Sequence, residues 1–122
     1  RMAALACALA CANASARPMP GVELLVAEAQ VALRQLAPRR GTFAAVVLDP
    51  PRAGARELMP MLADLAPEQI VYVSCDAATL ARDAAQLVAL GYRALRAQPI
   101  DAMPQTSHVE TVLHLTRATR AT

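Results

Sequence analysis

Residues 70–73, Ile-Val-Tyr-Val, place apolar side chains on both sides of the chain, and a strand of that kind must be covered on both of its faces. The run is β-branched and aromatic, so it reads as a buried strand over 69–74. Asp76 then opens a helical pattern through Ala77, Thr79, Leu80, Ala84, Leu87 and Leu90 that Gly91 can terminate. Cys75 sits between the two, at a strand-to-helix turn, where unpaired amide groups and the positive end of the helix dipole favour a thiolate. The competing reading is a small core residue, since free cysteines are among the most buried side chains.

The elements before and after this run alternate in type. The pattern predicts a turn over 17–21, a short strand over 22–27, a helix over 29–36, a loop at 38–41 and an apolar strand over 43–48 that stops at Asp49-Pro50-Pro51-Arg52. A helix over 56–65 leads to the 69–74 strand. After the Asp76 helix follow a strand over 92–97, a polar connection through Asp101 and His108, and a strand over 109–115. Continuous apolar strands alternating with helices predict an α/β fold with a mostly parallel, doubly wound sheet. The opening 1–16 has a basic start, an apolar centre and small residues at 14–16, as signal peptides do. Its centre is mostly alanine, however, with Leu5 and Leu9 as the strong apolar residues, which favours a buried helix over 2–14. No run approaches the roughly 20 strongly apolar residues that span a bilayer, so the expectation is a soluble protein without a membrane partner.

Composition narrows function only a little. The formal charge is +2 and all 12 basic residues are arginine, a bias that a GC-rich genome explains as readily as phosphate binding. Phe43, Tyr72 and Tyr92 are the aromatic residues, too few for a platform on which single-stranded bases stack. Cys7, Cys11 and Cys75 form neither a zinc pattern nor a disulfide framework, which fits a reducing cytoplasm. Cys7 and Cys11, one helical turn apart, read as apolar filler.

In doubly wound sheets ligands bind beyond the carboxyl ends of the strands, and the chemically capable residues gather there: Glu28, Asp49, Cys75 and the segment 101–110. Cysteine with His108 and Glu110 also makes a set that could serve acyl transfer, so at this level a cysteine hydrolase stands beside attack on a nucleobase.

Three segments in order separate these readings: VLDPPRAG at 47–54, YVSCDAATLARD at 72–83 and DAMPQTSHVE at 101–110. Together, and at this spacing, they resemble the closing section of the RNA (uracil-5-)-methyltransferase family, which forms 5-methyluridine in tRNA and rRNA. The similarity runs from about 22 to 117. Asp76 and Ala77 stand where the family often has Asn and Pro, and Met103 stands where it has Phe.

The resemblance implies a Rossmann-like, S-adenosylmethionine-dependent methyltransferase fold of which residues 1–122 form the C-terminal part of a single catalytic domain. The glycine-rich cofactor loop, the RNA-binding portion and any iron–sulfur cluster would belong to sequence before Arg1. It implies Cys75 as the nucleophile that adds to C6 of uracil and Glu110 as the general base that removes the C5 proton. Asp49 matches a cofactor or active-site carboxylate; its plain reading is a turn cap. Glu28 falls where such folds set an acidic side chain against adenine, and Arg52, Gln105 and His108 are placed to meet uracil or phosphate. His114, within the last strand, reads as structural. The implied partner is a structured RNA and the implied compartment the cytoplasm. A non-catalytic fragment that needs a missing half is the alternative. With its neighbour in the missing half, the 43–48 strand would leave an apolar edge open to self-association.

Overall fold

A computed structural model describes residues 20–119 and the backbone of residues 2–4. The rest of the expected 2–14 helix, with Cys7 and Cys11, lies outside the described residues. Five strands form one sheet in the order β1-β2-β3-β5-β4: β1 (Met2–Ala4), β2 (Ala45–Leu48), β3 (Gln69–Ser74), β4 (Tyr92–Ile100) and β5 (Glu110–Arg117). β1, β2 and β3 are parallel, whereas β5 inserts antiparallel between β3 and β4. Among the described residues three α-helices connect them: α1 (Ala29–Leu36), α2 (Met59–Leu65) and α3 (Ala77–Ala89).

The core lies between the sheet and these helices. Val46, Ile70 and Leu115 are in register across β2, β3 and β5, as are Leu48, Tyr72 and Leu113, and all six are buried. They form one cluster with Leu33 and Leu36 of α1, Met59, Leu62 and Leu65 of α2, and Leu80 and Leu87 of α3. All three helices therefore cover the same face of the sheet. Val47, Val71, Val73 and Val112, on the alternate strand positions, are half-buried on the opposite face.

Several boundaries differ from the sequence reading. Residues 22–27 are not a strand: Val22 and Val26 are 51% and 75% exposed while Leu25 packs on the core, so the stretch has no buried period-two face to dock on a sheet. Met2–Ala4 is a strand, not the first turn of a helix, because its backbone pairs with Ala45, Val46 and Val47. That pairing fills the β2 edge expected to be open, and removes the reason given for self-association there. The helix over 56–65 begins as a 3-10 turn, Arg56–Leu58, since Pro60 has no N–H to offer the Arg56 carbonyl. β4 and β5 extend to Ile100 and Arg117, each lengthened by its pairing with the other.

α3 starts as expected. Asp76 is its N-cap and accepts a 2.9 Å bond from the Thr79 amide. That bond, opposed by partial desolvation, holds the Asp76 carboxyl below its ordinary value of 3.8. Gly91, at φ 101°, closes the helix in a conformation that a side chain would resist.

Two outcomes follow from this packing. Leu62, fully buried beneath the sheet, should lose about 2–5 kcal/mol of stability as Leu62→Ala, read by urea unfolding. A depressed carboxyl stabilises the fold above its unfolded value and stops doing so as pH falls through its folded one. Asp76→Ala should therefore lower the melting temperature at neutral pH, and the gap to the unsubstituted protein should close well below pH 3.8.

Candidate active site

β2, β3 and β5 are neighbours in the sheet, and each contributes one residue to the same end of it. Leu48 pairs with Tyr72, so Asp49 leaves β2 at the level of the last residues of β3, and its carboxylate is exposed. Ser74 pairs with Thr111, so the same antiparallel register sets Glu110, first residue of β5, level with Cys75. The parallel β2–β3 pair and the antiparallel β3–β5 pair thus bring Asp49, Cys75 and Glu110 to one rim.

Cys75 is half-buried and free. It occupies the residue between the end of β3 and the N-cap of α3. Its two neighbours lock the turn, for the Ser74 hydroxyl accepts from the Asp76 amide at 3.0 Å and donates to the Asp76 carbonyl at 2.8 Å. Asp76, not Cys75, takes up the Thr79 amide, so the helix end holds the backbone of the turn while the thiol is left without a local hydrogen-bond acceptor role.

Two loops meet over this rim. Arg52, after the paired prolines, donates from Nη2 to Nδ1 of His108 at 3.1 Å, joining the 49–55 turn to the 101–109 connection. Arginine only donates, so Nδ1 of His108 is the acceptor and its proton resides on Nε2. Gln105 is exposed in that connection at φ 68°, next to a turn closed by the Thr106 hydroxyl on the Met103 carbonyl at 2.7 Å. Glu28 is not at a strand end. It is the exposed residue that precedes α1, and its carbonyl accepts from the Ala32 amide at 2.9 Å. The structure brings Arg52 and His108 into contact and gathers Asp49, Cys75 and Glu110 by register; among the described residues no hydrogen bond ties Glu28 or Gln105 to them. His114 lies apart, within the sheet, with its Nε2 3.0 Å from the Gln69 amide oxygen, as a structural histidine would.

The sequence reading missed what holds the 49–55 turn. Asp83 of α3 is fully buried, and its Oδ2 accepts from the Ala55 amide at 2.8 Å and from the Tyr72 hydroxyl at 2.6 Å. Arg82 pairs with the other oxygen at 2.9 Å and reaches the Ala53 carbonyl at 2.9 Å. The Thr79 hydroxyl donates to the Arg52 carbonyl at 3.0 Å. Burial, then the bond to Asp83, pushes the Tyr72 hydroxyl well above the usual phenol range. A signal was present in the sequence, since Asp83 falls between Leu80 and Leu87 on the apolar stripe of its helix, where an acid needs a partner.

Comparison with known proteins shows the family. The family described as tRNA (Uracil-5-)-methyltransferase matches residues 28–118. A 23S rRNA (uracil(1939)-C(5))-methyltransferase, RlmD, of Marinomonas sp. (strain MWYL1) is 58% identical over 74 residues, covering 61% of this chain and 17% of that protein. An uncharacterized RNA methyltransferase of Clostridium tetani is 42% identical over 105 residues, covering 85% of this chain and 23% of its own length. Among solved structures, the Pyrococcus abyssi tRNA (uracil-54, C5)-methyltransferase in complex with S-adenosyl-L-homocysteine superposes with a TM-score of 0.56 at 42% identity, over 63% of this chain and 19% of that one. The chain thus spans less than a quarter of the length of these relatives. Its matched segment includes all three motifs and every residue of the rim, and the chain belongs to the RNA (uracil-5-)-methyltransferase family.

Proposed function

We propose that this chain is the C-terminal part of a methyltransferase catalytic domain that transfers a methyl group from S-adenosylmethionine to C5 of a uridine in rRNA or tRNA, in the cytoplasm. The observation that carries the reading is the convergence of Cys75, Glu110 and Asp49 at one end of three adjacent strands. Among the described residues no helix is long and apolar enough to cross a membrane, in keeping with a substrate met in solution.

The chemistry asks for two groups with separate tasks. C5 of uracil is a weak nucleophile, and addition of the Cys75 thiolate to C6 converts the ring to an enolate that is nucleophilic at C5. After methylation the C5 proton must leave so that the C6–S bond can break, which returns the thiolate and the aromatic ring. Glu110, level with Cys75 across the β3–β5 pair, serves as the base for that proton. A half-buried thiol suits such a nucleophile, because it is open to the ring on one side and held by its backbone on the other.

The residues present fit part of a cofactor site. Asp49 is exposed at the mouth of β2 and has no ion-pair partner among the described residues, so its oxygens are free to accept from the hydroxyl or amino groups of S-adenosylmethionine. Glu28 offers a second carboxylate. When bound, the cofactor supplies an electrophilic methyl group. Arg52 and His108, joined over the rim, are placed to meet the uracil or its phosphate, with Gln105 on the same connection.

Intact mass spectrometry after incubation with S-adenosylmethionine and RNA containing 5-fluorouridine tests this reading in the full polypeptide. Fluorine cannot leave C5 as a proton does, so an RNA adduct carrying one methyl group should accumulate and should vanish in Cys75→Ala. An adduct that persists in Cys75→Ala would assign the nucleophile elsewhere. With ordinary RNA, Glu110→Gln should slow release by about 10²–10⁴-fold and so retain the covalent species. Turnover of an activated ester without the cofactor would instead point to the hydrolase.

A further inference from the structure

The most heavily partnered buried charge among the described residues is not one of the reacting groups. It is Asp83, whose two carboxylate oxygens accept from the Ala55 amide, the Tyr72 hydroxyl and the Arg82 guanidinium. These bonds, with those of Arg82 and Thr79, fasten three residues of one turn to α3: the Arg52 carbonyl to Thr79, the Ala53 carbonyl to Arg82 and the Ala55 amide to Asp83. Gly54 passes between them at φ +79°, and a Cβ there would lie 2.6 Å from Asp83 Oδ2 and 2.7 Å from Arg82 Nη2. The turn has no room for a side chain at its closest approach.

The three parts so joined are those whose relative placement matters at the rim. Tyr72 belongs to the strand that ends beside Cys75, Asp83 to the helix that begins after it, and residues 52–55 to the turn that carries Asp49 and Arg52. Stability alone does not call for an acid at this place, because apolar residues of similar volume commonly replace buried ion pairs with no loss of stability. What an apolar residue cannot do is grip an amide in a loop and dictate its position. Functional groups must be held within about 0.5 Å of their working geometry, and loops hold them less well than helices or strands do.

We propose that Asp83 is a positioning residue, which through the Ala55 amide and, with Arg82, the Ala53 carbonyl sets Arg52 in its place against His108, at the rim that carries Cys75. The assignment rests on the methyltransferase reading for the ligand that Arg52 meets. Its structural half does not. Loss of the grip leaves β3 and its ladders intact, but lets the 49–55 turn move relative to the thiol, and a displacement near 1 Å can cost about 10²-fold in rate.

Asp83→Asn in the full polypeptide provides the test, because the neutral amide keeps the carboxylate's shape but offers one acceptor oxygen to the three donors that Asp83 holds. Hydrogen exchange should be about tenfold or more faster at the Ala55 amide, with the amides of 69–74 unchanged. Methyl transfer to RNA should fall roughly 10–100-fold in kcat/KM, and adding Arg52→Ala should cost little further, since both changes disable the same contact. Equal acceleration of exchange in β3 would overturn the proposal by showing a role confined to core stability. So would losses from Asp83→Asn and Arg52→Ala that multiply. If Asp83→Asn does not fold, Tyr72→Phe, which removes one donor and keeps the carboxylate, carries the same comparison with a smaller expected change. Should the unsubstituted protein transfer no methyl group to RNA, the methyltransferase reading fails, while the exchange comparison still decides whether Asp83 anchors the turn.

Discussion

Everything at the rim depends on β3 having both of its edges paired. On one side it runs parallel to β2 over 69–72, and on the other antiparallel to β5 over 69–74, so four of its residues are locked in two registers at once. A shift of one residue in either ladder would turn Ile70 and Tyr72 out of the core and move Asp49 or Glu110 away from Cys75. The apolar pattern that buries Ile70, Tyr72 and Ser74 on the helix side therefore also specifies the geometry of the site. Packing and chemistry share a single constraint.

The loops above the strands are fixed by a different means. Residues 49–55 have few apolar side chains to bury, and hydrogen bonds to α3 take the place of packing there. A buried carboxylate without donors would be unstable by several kcal/mol, so Asp83 forces its surroundings to supply them: a backbone amide, a phenol and a guanidinium. Arg52 extends the same chain of contacts to His108. A single line of polar contacts thus runs from the core through the turn to the second loop.

How much of this the sequence discloses depends on the range of the interaction. The continuous apolar runs at 45–48 and 69–74 and the Asp76 cap are local signals, and the strands and α3 follow them. The 22–27 stretch fails because strand propensity does not supply a partner, and Met2–Ala4 fails in the other sense, since alanine favours helix until an edge offers pairing. The antiparallel placement of β5 between β3 and β4 has no local signature at all. Cys75, Asp49 and Glu110 are legible as residue types at element ends, and their family motifs mark them. Asp83 closes the 72–83 motif, but its role is not legible there, because its partners Ala55 and Tyr72 are distant in sequence and one of them acts through its backbone.

The insertion of β5 also orders events in time. β3 lies early enough to be made well before residues 110–117, and β4, which precedes them, can pair only with β5. Until residues 110–117 emerge from the ribosome, β3 lacks the partner of one edge and β4 lacks the strand that it pairs with in the finished sheet. Non-local pairing of this kind is slow and exposes backbone that another chain can capture. β4 carries its own protection in that interval, with Pro99 lacking a donor and a bulge between Ala94 and Arg96 breaking its regularity. The last strand to arrive completes the sheet and, in the same step, brings Glu110 level with Cys75, so the rim is assembled only when the fold is closed.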